Sequence, residues 1–280
     1  MNDLISAKEA IKISSLDNVK FLDSTFHLPN SGRNAKVEFY SKHITNAQFF
    51  DINKISDSKS KLPHMLPNSE TFALLMSEMG INNNDTIVLY DNSIFFSCAR
   101  AWWMFKVFGH KNVKVIDGGL FAWEKSNGQI SNVPTKIKRS NYLIQENNLN
   151  MCDNLTNIKK TLGTKKSRFI IDARANDRFL GLADEPRKGL RKGHIPNSKN
   201  LPISSIFNIK SKCLKSNDEL IQLFKNISLE DKNTPITTSC GSGVTACGIA
   251  FVAYKVGFKD IKVYDGSWTE WGSSKDTPIN

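Results

Sequence analysis

Apolar positions in this chain fall into short β-branched runs, each followed by a longer apolar stretch and punctuated by Gly, Asn, Asp or Pro. Val19-Lys20-Phe21-Leu22-Asp23 predicts a strand ending on an acid, and Asp85-Thr86-Ile87-Val88-Leu89-Tyr90-Asp91 a second that runs into a turn. Leu4 to Ile13 predicts a short helix. A mixed segment from His43 to Ile52 leads into a polar loop from Asn53 to Pro67. Ser69 is placed to cap a helix over Glu70 to Met79. Ser97 to Phe108 predicts an aromatic-rich helix. Val113-Lys114-Val115-Ile116-Asp117-Gly118-Gly119 predicts a further strand and turn, closed by Leu120 to Trp123.

The same order then recurs. Arg168 to Arg174 answers the strand ending at Asp23, and His194 to Ile203 answers the segment that begins at His43. Pro235 to Ser239 with its following helix answers Thr86 to Phe108. Ile261 to Ser267 answers Val113 to Gly119, and Trp271 answers Trp123. The period is about 150 residues, too long for a solenoid, so the chain is a duplicated domain. Strands alternating with helices imply an α/β fold, each half a mainly parallel sheet covered on both faces. The polar, Asn-rich stretch from Gly128 to Met151 is the natural linker. It divides the chain into residues 1–135, a linker at 136–152, and residues 153–280.

One stretch of the second half carries chemistry. In Ile236-Thr237-Thr238-Ser239-Cys240-Gly241-Ser242-Gly243-Val244-Thr245-Ala246 a strand hands over to a helix at a cysteine. The two glycines allow the backbone to curl round the sulfur. The amides of Ser242, Gly243, Val244 and Thr245 would then face it from a helix N-terminus, which favours a thiolate. In the first half the equivalent place falls at Asp91 or Asn92, and neither is a thiol. That half is expected to be catalytically silent.

Composition narrows the classes. Of the 280 residues 40% are hydrophobic, enough for a core, and no run is long enough to span a bilayer. The first ten residues lack an apolar leader and carry acids, which suggests a cytoplasmic protein. The net charge of +11 comes mainly from dispersed lysines and accompanies no nucleic-acid motif. It reads as a solvated basic surface that would also draw in an anionic substrate. The five cysteines show neither a disulfide framework nor zinc-site spacing. Cys247 reads as a core residue of the helix after Cys240, or as a partner for a regulatory disulfide. Arg178 and Arg187, in one loop with Asp177, Asp184 and Glu185, are either exposed ion-paired arginines or a carboxylate-binding fork.

Cys240-Gly241-Ser242-Gly243-Val244-Thr245-Ala246 resembles the active-site loop of the 3-mercaptopyruvate sulfurtransferases, a branch of the tandem-domain rhodanese superfamily. The resemblance covers roughly Val19 to Trp271. It implies two tandem rhodanese-like domains. The thiosulfate-using branch carries basic residues directly after the cysteine, and this loop has none. Cysteine-dependent phosphatases need an arginine where Ala246 stands. The resemblance implies Cys240 as nucleophile, with Gly241, Gly243, Val244 and Thr245 lining the substrate site. Arg178 and Arg187 would bind the substrate's carboxylate and carbonyl, with a weaker case for Arg191. His64, in Leu62-Pro63-His64-Met65-Leu66-Pro67, would lie across the domain cleft and form a relay with Ser242 and an acid. The position of that acid is occupied by Asn53, with Asp51 or Asp57 as substitutes. Sulfur would pass from 3-mercaptopyruvate through a Cys240 persulfide to thioredoxin, a small thiol or cyanide, with no metal or organic cofactor. The alternatives are a thiosulfate sulfurtransferase and a non-catalytic persulfide carrier.

Overall fold

The computed structural model describes residues 3–28 and 31–280, which form two compact units. The first comprises residues 1–58, 66–148 and 207–214, and the second residues 59–65, 149–206 and 215–280. Each unit therefore takes in one short segment from the other half of the sequence.

The first unit contains β1 (Leu4–Ile5), α1 (Ala7–Ile13), β2 (Val19–Asp23), α2 (Ala35–Ser41), β3 (His43–Ile44) and β4 (Gln48–Phe49). It continues with α3 (Ser69–Glu78), β5 (Thr86–Tyr90), α4 (Cys98–Val107), β6 (Val113–Ile116), α5 (Gly119–Lys125) and β7 (Ile130–Ser131). Its sheet has the order β1-β6-β5-β2-β4, every pair parallel. Because side chains alternate along a strand, Phe21, Val88 and Tyr90 face α1, α2 and α5 in a cluster with Ala10, Phe39, Leu120 and Trp123. The aromatic helices meet on their own: Phe72 of α3 lies 5.4 Å from Phe105 of α4 and 4.4 Å from Phe108. A sheet buried on both faces explains why its strands read as continuous apolar runs.

The second unit repeats the plan with β8 (Cys152–Asp153), α6 (Leu155–Thr161), β9 (Phe169–Asp172), α7 (Asn176–Phe179), β10 (Lys199–Asn200) and α8 (Asn217–Asn226). Then follow β11 (Ile236–Ser239), α9 (Val244–Lys255), β12 (Ile261–Tyr264) and α10 (Ser267–Trp271). The order is β10-β9-β11-β12-β8, again all parallel, with β11 central. Ile170, Tyr264, Trp268 and Trp271 pack with Ile158 of α6 on one face. On α9, nine residues between Val244 and Ala253 are buried, so the apolar run after Cys240 is a core helix.

The structure corrects several local expectations. Leu4 to Ile13 is not one helix. Leu4–Ile5 joins the sheet, and Ser6 starts α1 through a capping box in which the Ser6 and Glu9 side chains each bond the other's backbone N–H. Asn68, not Ser69, caps α3, accepting from Thr71 N at 2.8 Å. Helices α2, α6 and α8 were not anticipated, although Ser216 and Glu219 give α8 a capping box legible in the sequence. Much of the stretch read as linker is anchored: β7 pairs antiparallel with β3, Ser140 N bonds Ser77 O, and Tyr142 is buried. Among the described residues no helix is long and apolar enough to cross a membrane.

Candidate active site

Cys240 stands directly after central strand β11, at the C-terminal end of the sheet, and is 2% exposed. Its backbone is tied down from α10. Cys240 N donates to Ser267 Oγ at 3.1 Å, and its carbonyl accepts from Trp268 N at 2.9 Å. The carbonyl of Gly241 accepts from Thr269 N at 2.8 Å and from Thr269 Oγ1 at 2.6 Å. Ser267 holds this position in the left-handed region, at φ 49°, where a side chain is strained. Its hydroxyl also donates to Tyr264 O at 2.7 Å, and the two bonds fix it there. Gly243, with φ 78°, makes the turn into α9 and brings no capping side chain of its own. A 12-residue helix starting four residues beyond the sulfur offers positive potential to an anion there.

Ser242 is buried, and its Oγ lies 3.0 Å from Nδ1 of His64, itself 6% exposed. His64 lies in the left-handed region, at φ 63°, between Pro63 and Met65. The structure revises one expectation about this pair. Segment 59–65 belongs to the second unit, so the Ser242–His64 bond is internal to that unit. Asn53 is exposed on the first unit, its N–H bonded to Asp51 Oδ1 at 3.1 Å.

Arg178 comes from the short α7, and Arg187 follows in the next loop. Arg178 Nη2 approaches the cysteine loop so closely that a Cβ added at Gly241 would stand 3.2 Å from it. This gives the glycine at position 241 a steric reason beyond turn geometry. Arg178 also bonds Glu185 Oε2 at 2.5 Å, so the ion pair considered from sequence is present beside the cysteine loop. Partial burial, together with the neighbouring Arg178, holds the Arg187 guanidinium below the ordinary arginine range, against the opposing charges of Cys240 and Glu185. Arg191 plays a different part. Its guanidinium donates to the carbonyls of Trp271, Gly272, Ser274 and Thr277 and to the Thr277 hydroxyl, clasping the C-terminal segment. Cys247 is buried in α9 with its sulfur 3.1 Å from Gly243 O, which agrees with a core role. Among the described residues no group of three His, Cys, Asp or Glu side chains is placed to hold a metal ion.

Sequence reasoning missed the groups underneath. Arg174, fully buried, bonds Asp172 through Nε and Nη2, Glu185 Oε1 through Nη1 at 2.7 Å, and Gly193 O at 2.8 Å. Its guanidinium also lies 4.3 Å from the Trp268 ring. Burial alone would lower its pKa, but the carboxylates of Asp172 and Glu185 more than reverse this and hold it above the usual value. The one available signal was Asp172 itself, an acid closing a strand in both halves.

Register identifies the counterpart of the cysteine in the first unit. Asp172 pairs with Ser239 and Asp23 with Tyr90, so Cys240 corresponds to Asp91 rather than Asn92. Leu120 N bonds Asp91 O as Trp268 N bonds Cys240 O. Asp91 is buried and accepts from Ser93 Oγ, Ser97 Oγ and Cys98 N. Its side chain thus fills the loop that surrounds a thiol in the second unit. Burial raises the pKa of Asp91 and drives that of neighbouring Asp23 up to about 7. A carboxyl with a raised folded-state pKa binds its proton more tightly in the folded state. Stability is therefore lost as pH rises from the unfolded value of 3.8 through about 7. Asp23→Asn should raise stability at pH 8 by up to about 4 kcal/mol, a gain that shrinks toward pH 4. Urea midpoints of both proteins at pH 5 and pH 8 check this, and parallel pH profiles would contradict it.

The rhodanese-like domain model matches residues 6–126 and 154–274. The chain is 39% identical to the mitochondrial thiosulfate/3-mercaptopyruvate sulfurtransferase 1 of Arabidopsis thaliana, covering 94% of this chain and 74% of that one. It is 38% identical to the 3-mercaptopyruvate sulfurtransferase of Mus musculus, covering 96% and 91%. The crystal structure of the Escherichia coli 3-mercaptopyruvate sulfurtransferase SseA superposes with a TM-score of 0.83, at 32% identity, over 96% of this chain and 99% of that one. With two matched domains, a thiol at the end of the central strand of the second and a carboxylate in its place in the first, the chain belongs to the 3-mercaptopyruvate sulfurtransferases of the rhodanese family.

Proposed function

We propose that this protein transfers sulfur from 3-mercaptopyruvate through a Cys240 persulfide to a thiol or cyanide acceptor, releasing pyruvate. The observation that carries this reading is a buried cysteine ahead of the N-terminus of α9, with Arg178 beside Gly241 of its loop. The Cys240 thiolate attacks the substrate sulfur. The carbon–sulfur bond breaks with its electron pair, and pyruvate leaves as its enolate. Arg178 and Arg187 hold the carboxylate and carbonyl during this step. The hydrogen-bonded Ser242 and His64 supply the proton that the enolate takes up. Gly241, Gly243, Val244 and Thr245 shape the cradle, whose amides stabilise the negative persulfide. A second nucleophile, thioredoxin, a small thiol or cyanide, then removes the outer sulfur. A cytoplasmic location is part of this proposal, beside a mitochondrial relative in Arabidopsis.

The test compares donors with the purified protein. Pyruvate release follows 3-mercaptopyruvate, and thiocyanate formation with cyanide follows thiosulfate. The expected result is a clear preference for 3-mercaptopyruvate, with Cys240 gaining one sulfur by mass spectrometry. Preference for thiosulfate would overturn the donor assignment. Silence with both donors would favour a persulfide carrier.

A further inference from the structure

Arg178 owes its place to a carboxylate outside the cysteine loop. The Glu185 side chain is 2% exposed and divides its two oxygens between two arginines: Oε1 accepts from Arg174 Nη1 at 2.7 Å, and Oε2 from Arg178 Nη2 at 2.5 Å. Arg174 is itself immobilised by Asp172, by Gly193 O and by the Trp268 ring. Glu185 therefore passes the rigidity of the buried β9 end to the half-buried Arg178. Held in this way, the guanidinium sits against the backbone of Gly241. The Arg178 side chain is 19% exposed, so an incoming ligand can still reach it. A guanidinium held by one carboxylate keeps further N–H donors for a second anion.

We propose that Glu185 is the positioning residue of the anion site, holding Arg178 through Nη2 so that its remaining donors meet the carboxylate of a ligand that reaches Cys240. The proposal rests on the reading of Cys240 as nucleophile and Arg178 as anion donor. It assigns Glu185 no contact with the reacting atoms.

Alkylation tests this without any sulfur donor. Iodoacetate and iodoacetamide both lose iodide to a thiolate as a sulfur–carbon bond forms, and they differ in carrying a carboxylate or a neutral amide. Rates at Cys240, followed by peptide mass and normalised to those of free cysteine, give the preference for the anion. The wild-type protein is expected to favour iodoacetate. Glu185→Gln and Glu185→Asp are expected to lose about tenfold of that preference, the loss of one charge-assisted hydrogen bond, with the iodoacetamide rate unchanged. Aspartate keeps a negative charge against Arg174, which guards the fold, but is one methylene too short to span both arginines. A wild-type protein without preference, variants that retain it, or an iodoacetamide rate that falls in step would overturn the proposal. An intact preference in a protein that turns over neither sulfur donor would instead sink the proposed function and leave the role of Glu185 standing.

Discussion

Cys240→Ser should lower pyruvate release from 3-mercaptopyruvate by at least about 1000-fold, because removing the nucleophile of a covalent mechanism removes its intermediate. Serine has nearly the shape of cysteine and keeps the backbone bonds to Ser267 and Trp268, so the loop and the fold should survive. Only the chemistry changes. An alcohol is not ionised at neutral pH and cannot accept a sulfur atom to give a persulfide. Two measurements check this together. Steady-state pyruvate release reads the turnover, and intact mass after exposure to substrate reads the persulfide. Residual turnover within about tenfold of wild type would mean that another group receives the sulfur.

The second large effect is on stability. Arg174→Ala should cost the second unit about 3–5 kcal/mol, the usual penalty for leaving a buried charge without its partner. Asp172 is 1% exposed and bonds Arg174 through three nitrogens: the backbone N–H, Nε and Nη2. Removing the guanidinium leaves this carboxylate, and half of Glu185, buried and unmatched. It also exposes the face of Trp268 that the guanidinium covers. A loss of this size is comparable to a large part of a domain's net stability. Arg174→Lys keeps the charge but cannot span Asp172, Glu185 and Gly193 O at once, so an intermediate loss is expected. Urea denaturation followed by circular dichroism checks both. A midpoint for Arg174→Ala within error of wild type would show that the network adds no stability.

The sequence determined a good deal on its own. Period and pattern sufficed for the duplicated α/β architecture, because parallel strands buried on both faces must read as apolar runs, and strand–helix alternation leaves few ways to arrange them. The cysteine loop was legible for a local reason. Strand, thiol, glycines and helix are contiguous, so their geometry follows from neighbouring residues. The absence of a thiol at the matching place in the first half was legible by comparison, since Asp91 stands there. Short elements escaped. Strand Leu4–Ile5 and helix Leu155–Thr161 owe their form to the sheet edge and core they join rather than to a long periodic signal.

Tertiary structure decided what lies far apart in sequence. Placing His64 against Ser242 requires segment 59–65 to pack with residues well over a hundred positions away, and no local propensity encodes that contact. The arginines show the same limit. Arg174, Arg178 and Arg191 look alike along the chain, yet one is a buried strut, one lies beside the cysteine loop and one clasps the C-terminal segment. A guanidinium's role depends on which acceptors the fold brings within reach, and composition carries no record of them. Glu185 is the sharpest case, since its two oxygens serve different arginines only because the turn after α7 folds back over the end of β9.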